Sequence, residues 1–197
     1  MRYDNQHKQQ TRLRVLEAAA DAIRADGPER ISVASVMARA GLTHGGFYAH
    51  FDSKEMLVAA TIDFMFDRDE AKFVETTKGR SASEALAVFV DFYLSIGDCG
   101  RGGRGCAMAS LVSDLPHLDP TARERFTRGA QRLHGRLMEV LERAGVDDAR
   151  SLALTLRSAM VGALAMARAQ NNPADGDAIL QATRVDLLQR LGIGTAA

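Results

Sequence analysis

The sequence predicts an all-α protein. Apolar residues recur every three to four positions along most of the chain, and no segment alternates convincingly between apolar and polar residues as a half-buried strand does. The 197 residues include only four prolines, which favours long helices because an interior proline breaks the backbone hydrogen-bond ladder. Nine helices with short connections account for this pattern.

Three of these helices precede Asp52. The apolar stripe of the first is formed by Leu16, Ala19, Ala20 and Ile23. It ends at Gly27, which Pro28 follows. Ser32 is a good N-cap for the second helix, which we place at residues 33–40. A third short helix fits residues 44–51.

The six later helices are longer. Asp52 at the cap and Glu55 three residues later resemble a capping box that opens the fourth helix. The six helices are placed at about residues 53–77, 83–96, 106–115, 120–144, 148–170 and 174–191. The change from short to long helices predicts a small head, residues 1–52, on a larger helical body, residues 53–197.

Charge and composition describe an ordinary globular protein. The 25 basic and 25 acidic residues balance, and hydrophobic residues make up 46% of the chain. The N-terminus is locally basic, with Arg2, Lys8, Arg12 and Arg14. This segment is either an arm for phosphate contact or a solvated, disordered terminus. Without a signal-peptide core, a run of about 18 apolar residues or a disulfide framework, we expect a cytoplasmic protein with no membrane segment.

Residues 32–51 read SVASVMARAGLTHGGFYAHF, which is the pattern of a helix-turn-helix. Gly41 permits the backbone angle that the turn needs. Leu42 and Phe47 anchor the second of the two helices on the first. Its free face then carries hydrogen-bonding side chains suited to base edges and phosphates, namely Thr43, His44, Tyr48 and His50.

The stretch GLTHGGFYAHFDSKEML closely resembles the signature of the TetR family of transcriptional repressors. The resemblance is strong over residues 9–65 and less specific beyond them. Met37 departs from the small residue that the family often has there. The form Thr-His-Gly-Gly-Phe-Tyr, with a Gly-Cys at the start of the sixth helix, is similar to one subgroup. The resemblance implies a nine-helix TetR-like fold.

It also implies a DNA-binding surface on the head. Thr43, Tyr48, His50 and Lys54 would contact phosphates, and His44 is the best candidate for a base contact. Gly45 and Gly46 would let the third helix approach the major groove closely. We expect a DNA-binding set of Arg12, Ser32, Thr43, His44, Gly45, Gly46, Tyr48, His50 and Lys54. His50 has an alternative interpretation as a structural histidine between the third and fourth helices.

Two further partners follow from the resemblance. Homodimerisation through the eighth and ninth helices would place two heads on a palindromic double-stranded operator. The eighth helix is rich in small and apolar residues, namely Leu152, Leu156, Ala159, Met160, Ala163 and Leu164. The ninth helix adds Leu180, Leu187, Leu188 and Leu191. The apolar faces of both helices would either meet a partner or fill the monomer core. The body would bind a small apolar or electrophilic inducer that releases the operator. The candidate pocket residues, each of which is otherwise a core residue, are Phe66, Phe89, Phe92, Tyr93, Met108, Leu111, Met138 and Met160.

The two cysteines are candidates for a redox or electrophile sensor. Cys106 should lie near a helix N-terminus with Arg101 and Arg104 close by, which would favour a thiolate. Cys99 lies seven residues earlier in a glycine-rich segment. The alternative is that Cys106 is an inert, buried side chain.

Other function classes find little support. The sequence contains no HExxH, GxSxG or Walker motif and no zinc-ligand set, so no enzyme, cofactor or metal is expected. A helical adaptor whose head binds no DNA remains an alternative. The sequence does not decide between repression and activation.

Overall fold

A computed structural model describes residues 2–95 and 106–193 of the chain. Within these ranges the regular structure is helical and contains no strand. The α-helices are α1 (Arg2–Asp26), α2 (Val33–Arg39), α3 (Lys54–Thr77), α4 (Ala82–Tyr93), α5 (Ala107–Leu111), α6 (Pro120–Arg143), α7 (Ala149–Arg168) and α8 (Pro173–Arg190). A 3-10 helix, η1, spans His44–Ala49, and a second 3-10 turn spans Leu115–His117.

The all-α prediction is confirmed, with two corrections to the helices. The third predicted helix is the 3-10 helix η1, in a segment where Gly45 and Gly46 have low α-helix propensity. The sixth was placed at residues 106–115, but α5 ends at Leu111. The amide of Asp114 bonds the Leu111 carbonyl at 3.0 Å in a tighter turn, and Pro116 has no amide with which to continue an α-helix.

Local side-chain caps set most helix starts. Ser32 accepts from the Ser35 amide at 3.1 Å, as the sequence predicts. Asp148 accepts from the Ser151 amide at 3.1 Å, whereas the sequence leaves both Asp147 and Asp148 open as the cap. The cap of α3 was predicted wrongly. Ser53, not Asp52, accepts there, from the Met56 amide at 3.2 Å. The hydroxyl is one residue closer to the helix, so it meets the orphan amides of the first turn.

The described residues divide into two compact units. The first comprises residues 2–67 and 106–129, and the second comprises residues 68–95 and 130–193. These units are defined by packing. The functional boundary after residue 52 stays a prediction.

The first unit is built on α1, α2, η1 and the start of α3. Its core is formed by Val15, Ala19, Ile23, Val36, Met37, Phe47, Leu57, Ile62, Phe66 and Leu111. The basic N-terminal segment is not an irregular arm, because α1 is helical from Arg2 onward. Helix α1 therefore carries the basic residues of this segment.

In the second unit α7 packs along α8. Gly176 permits this approach, because a Cβ there would lie 2.9 Å from the carbonyl oxygen of Ala167. Seven residues that the sequence offers as dimer contacts are buried inside this unit, namely Leu156, Met160, Ala163 and Leu164 of α7 and Leu180, Leu187 and Leu188 of α8. The monomer-core alternative holds for these seven. A different face of α7 is exposed.

Among the described residues, no helix combines the length and the apolar character needed to cross a membrane.

Candidate nucleic-acid interface

The predicted helix-turn-helix forms in the first unit. α2 and η1 pack on each other and α2 packs on α1. Val36, Met37, Phe47 and Phe51 are all buried. Phe47 and Phe51 stack with their ring centroids 5.8 Å apart. These anchors fix one side of η1 against the unit and leave its other side exposed.

The turn between the two helices has the geometry of a Schellman motif. Gly41 has a φ of +69°, in the left-handed region that glycine occupies at no steric cost. Its amide bonds the Ala38 carbonyl at 3.0 Å, and the Leu42 amide bonds the Met37 carbonyl at 2.9 Å. These bonds satisfy two carbonyls at the end of α2 and redirect the chain into η1.

The outer side of η1 presents a row of polar side chains. Thr43, at the N-cap position, and His44 are exposed, and Tyr48 is 69% exposed. Gly45 is exposed, and a Cβ there would meet no atom within 4 Å. At Gly46 a Cβ would lie 3.7 Å from Met37, on the packed side. Only Gly45 of the pair therefore lies where a missing side chain favours the approach of a partner.

His50 differs from the other three side chains that were assigned to the free face. It is half-buried, and its Nδ1 is buried without a hydrogen-bond partner. Burial lowers the pKa of His50, and the neighbouring cations Lys8 and Arg12 lower it further. The imidazole is therefore neutral at pH 7. This placement agrees more closely with the structural alternative than with a side chain that projects fully outward.

Three basic side chains of this unit bond backbone carbonyls. Arg12 Nη1 donates to the His50 carbonyl at 2.8 Å, and its guanidinium lies 4.3 Å from the centroid of the Phe51 ring. Arg14 donates to the Ala40 carbonyl. Lys54 Nζ donates to the Glu29 carbonyl at 2.8 Å. The sequence points to Arg12 and Lys54 as DNA-binding residues, but it names Arg14 only as part of the basic N-terminal segment.

Two family models match the chain. Residues 15–61 match the model described as bacterial regulatory proteins of the tetR family. Residues 82–180, half of the chain, match the C-terminal domain of LmrA/YxaF-like transcriptional regulators. The chain belongs to the TetR family.

Curated relatives of this TetR-family chain match about a third of its length. It is 34% identical over 67 residues to the HTH-type transcriptional regulator TtgR of Pseudomonas putida. The same values hold for the probable HTH-type transcriptional regulator ArpR of Pseudomonas putida. Each match covers 34% of this chain and 32% of the relative. The chain thus aligns with about a third of the length of these relatives.

Solved structures match over nearly the whole fold. A TetR-family regulator from Agrobacterium tumefaciens is 25% identical with a TM-score of 0.77, over 91% of this chain and 98% of the other. A TetR regulator from Chloroflexus aurantiacus is 24% identical with a TM-score of 0.82, over 95% and 96% of the two chains. At 24% identity, the likeness to the Chloroflexus aurantiacus structure shows the fold alone.

The candidate pocket residues divide between the two units. In the first, Phe66, Met108 and Leu111 are buried, and Phe66 meets Phe126 edge-on at 5.3 Å. In the second, Phe89 lies 4.7 Å from Phe73 and 5.8 Å from Tyr93, measured between ring centroids.

The other three pocket candidates lie in the second unit. Met160 is buried and Met138 is half-buried. Phe92 is 36% exposed and carries the Lys72 ammonium 5.2 Å from its ring centroid. Their role in ligand binding stays a prediction.

Cys106 occupies the N-cap position of α5 and is half-buried. This agrees with the expected place near a helix start. Cys99, Arg101 and Arg104 lie outside the described residues. The sensor interpretation stays a prediction.

Proposed function

We propose that this protein is a sequence-specific, DNA-binding transcriptional regulator, and that η1 is its recognition helix. The observation that carries the proposal is the row of exposed polar side chains on η1, held in place by the buried Phe47 and Phe51. Thr43, His44 and Tyr48 offer hydroxyl and imidazole groups at one surface. Such groups suit phosphate oxygens and base edges in a major groove.

Within this surface we assign different roles. His44 lies at the first position of η1 and is exposed, so it reads a base edge. Thr43 and Tyr48 contact phosphates. Lys54 contributes a positive group at the edge of this surface, and Ser32 lies exposed at the start of α2. Gly45 brings the backbone of η1 close to the base pairs, since no side chain separates them.

A second copy of the chain completes the operator-binding form. α7 carries an exposed stripe at four-residue spacing, namely Leu154, Ser158, Gly162 and Met166. Leu154 is 42% exposed and Met166 is 57% exposed. Gly162 meets no atom within 4 Å of an added Cβ, although glycine inside a helix costs about 1 kcal/mol relative to alanine. A partner backbone packed at this position explains the glycine.

Two chains joined through α7 and α8 present two η1 helices, which matches a palindromic operator. We further propose repression that a small apolar or electrophilic inducer relieves, with the inducer held in the body. An inducer that binds a DNA-incompetent state more tightly than the DNA-competent state shifts the protein toward the former. Operator affinity then falls, and the ratio of the two inducer affinities limits the size of the fall. An activator would use the same DNA-binding surface. Reporter assays with the operator therefore separate activation from repression. We place this activity in the cytoplasm, where the DNA lies.

Selection of bound duplexes from a random pool tests the proposal. The wild-type protein should enrich a palindrome whose half-sites are about one helical turn apart. A double variant, His44→Ala with Tyr48→Ala, is the matched control, because both side chains are exposed and their removal leaves the core intact. Enrichment of the same palindrome by the double variant, or of none by the wild type, would refute the proposed role of η1.

A further inference from the structure

Two arginines of α1 reach the ends of both helices of the helix-turn-helix. Ala40 is the C-cap residue of α2, and His50 is the C-cap residue of η1. Arg14 donates to the Ala40 carbonyl and Arg12 to the His50 carbonyl. Carbonyls at helix C-termini lack intrahelical partners and favour a nearby cation. Since both arginines belong to one helix, α1 constrains the end of α2 and the end of η1 together.

Arg12 is committed to η1 by two contacts at once. One guanidinium nitrogen lies 2.8 Å from the His50 carbonyl oxygen, and the guanidinium carbon lies 4.3 Å from the centroid of the Phe51 ring. Phe51 is buried and stacked on Phe47, the anchor of η1. A planar guanidinium can stack on a ring and donate in its own plane, whereas a lysine ammonium is a point charge that does not combine the two.

Lys8 lies one helical turn before Arg12 on the same face of α1. Its side chain is exposed. Arg12 donates to the His50 carbonyl, so the face of α1 that it shares with Lys8 is the face next to the end of η1. Both cations lower the pKa of His50, which agrees with this placement. Lys8 is therefore an exposed cation at the edge of the surface that η1 presents.

From this geometry we propose different roles for Lys8 and Arg12. The proposal rests on the DNA-binding function proposed above. Arg12 is a positioning residue: it fixes the end of η1 through the His50 carbonyl and the Phe51 ring, in place of the phosphate contact expected from the sequence. Lys8, which the sequence places in the basic N-terminal segment but not in the set of individual DNA-binding residues, supplies the phosphate contact from α1.

The two roles are tested with three variants of the full-length protein, namely Arg12→Lys, Arg12→Gln and Lys8→Gln. Affinity is measured across a salt series by fluorescence anisotropy, with a labelled duplex of the selected palindrome and with a scrambled duplex. Hydrogen exchange of the amides of residues 44–51 is measured without DNA. Arg12→Lys keeps the charge, so it separates the loss of the guanidinium geometry from the loss of a cation.

In Arg12→Lys and in Arg12→Gln, the backbone amides of residues 44–51 should exchange hydrogen faster than in the wild type. Arg12→Lys should lose about tenfold in palindrome affinity without a change in the salt slope. Lys8→Gln should exchange as wild type does and should reduce the slope of log K against log salt by about 0.9 per subunit. Wild-type affinity and exchange in Arg12→Lys would overturn the role of Arg12. An unchanged slope in Lys8→Gln would overturn the role of Lys8.

Failure of the proposed function gives a different result. If the wild type binds neither duplex at any salt concentration, DNA binding is refuted and the phosphate role of Lys8 is refuted with it. The exchange data then decide the positioning role of Arg12 alone, because they need no DNA. Faster exchange in Arg12→Lys supports that role, and unchanged exchange overturns it.

Discussion

Gly129 of α6 lies directly against the ring of Phe66 on α3. A Cβ at position 129 would overlap the Cγ and Cδ2 atoms of this ring. Phe66 is fully buried and meets Phe126 edge-on, so the ring has little space in which to move. The glycine is therefore required by packing, although it lies inside a helix where alanine is intrinsically favoured.

Gly129→Ala should lower the free energy of unfolding by about 1–3 kcal/mol, the usual cost of an overpacked core. Gly135→Ala is the matched control, since Gly135 lies on the same helix and an added Cβ there meets no atom within 4 Å. The control should be neutral or raise stability by up to about 1 kcal/mol. Urea unfolding of both variants provides the measurement, and equal effects at the two positions would disprove the packing argument.

A base contact and a phosphate contact should respond differently to substitution. His44→Ala should reduce the preference for the selected palindrome over a scrambled duplex by about 1–3 kcal/mol, because a lost base contact acts on one sequence. Tyr48→Phe removes only the exposed hydroxyl and should weaken binding to both duplexes alike. Anisotropy titrations give both affinities. A His44→Ala variant that weakens both duplexes equally would remove the assignment of His44 to base reading.

The exposed stripe of α7 gives a prediction about oligomeric state. Gly162→Leu should produce a monomer, because the leucine occupies the space that we assign to a partner helix. The same variant should keep or slightly raise the stability of the monomer, since the position is open within one chain. Gly135→Leu, at another open helical glycine, should leave the dimer intact. Light scattering coupled to size exclusion measures the mass, and a dimeric Gly162→Leu would exclude this face as the interface.

His134 should contribute to the pH dependence of the free energy of unfolding. Its Nδ1 is buried without a hydrogen-bond partner, and burial lowers its pKa, as do the charges of Arg157 and Arg150. The unfolded chain therefore binds a proton more readily than the folded one, so the free energy of unfolding falls as the pH drops below about 6.5. In His134→Gln this loss between pH 7.5 and 5.5 should be smaller than in the wild type. An equal or larger loss in the variant would contradict the argument.

The sequence predicts best what is decided locally. Ser32 begins α2 and Gly41 follows its end through hydrogen bonds within a few residues, so their roles follow from residue type and spacing. The buried positions Val36, Phe47 and Phe51 follow from periodicity in the same way.

Tertiary contacts decide the rest. Nothing near Arg12 in the sequence indicates that its guanidinium bonds a carbonyl 38 residues away instead of remaining free for a phosphate. The face of α7 that turns inward is also set by α8 and not by α7 itself, because small and apolar residues lie on both of its sides. The spacing of apolar residues therefore predicts the helix. It does not predict that Met160 is buried while Met166 is exposed.

We expect the exposed face of η1 to recognise a specific DNA sequence. The most direct test is a titration of the wild-type protein, at about 0.15 M salt, against the selected palindrome and against a scrambled duplex of equal length and composition. The account predicts a preference of at least about a thousandfold for the palindrome. Equal affinity for the two duplexes, or binding to neither when the salt is lowered, would contradict it.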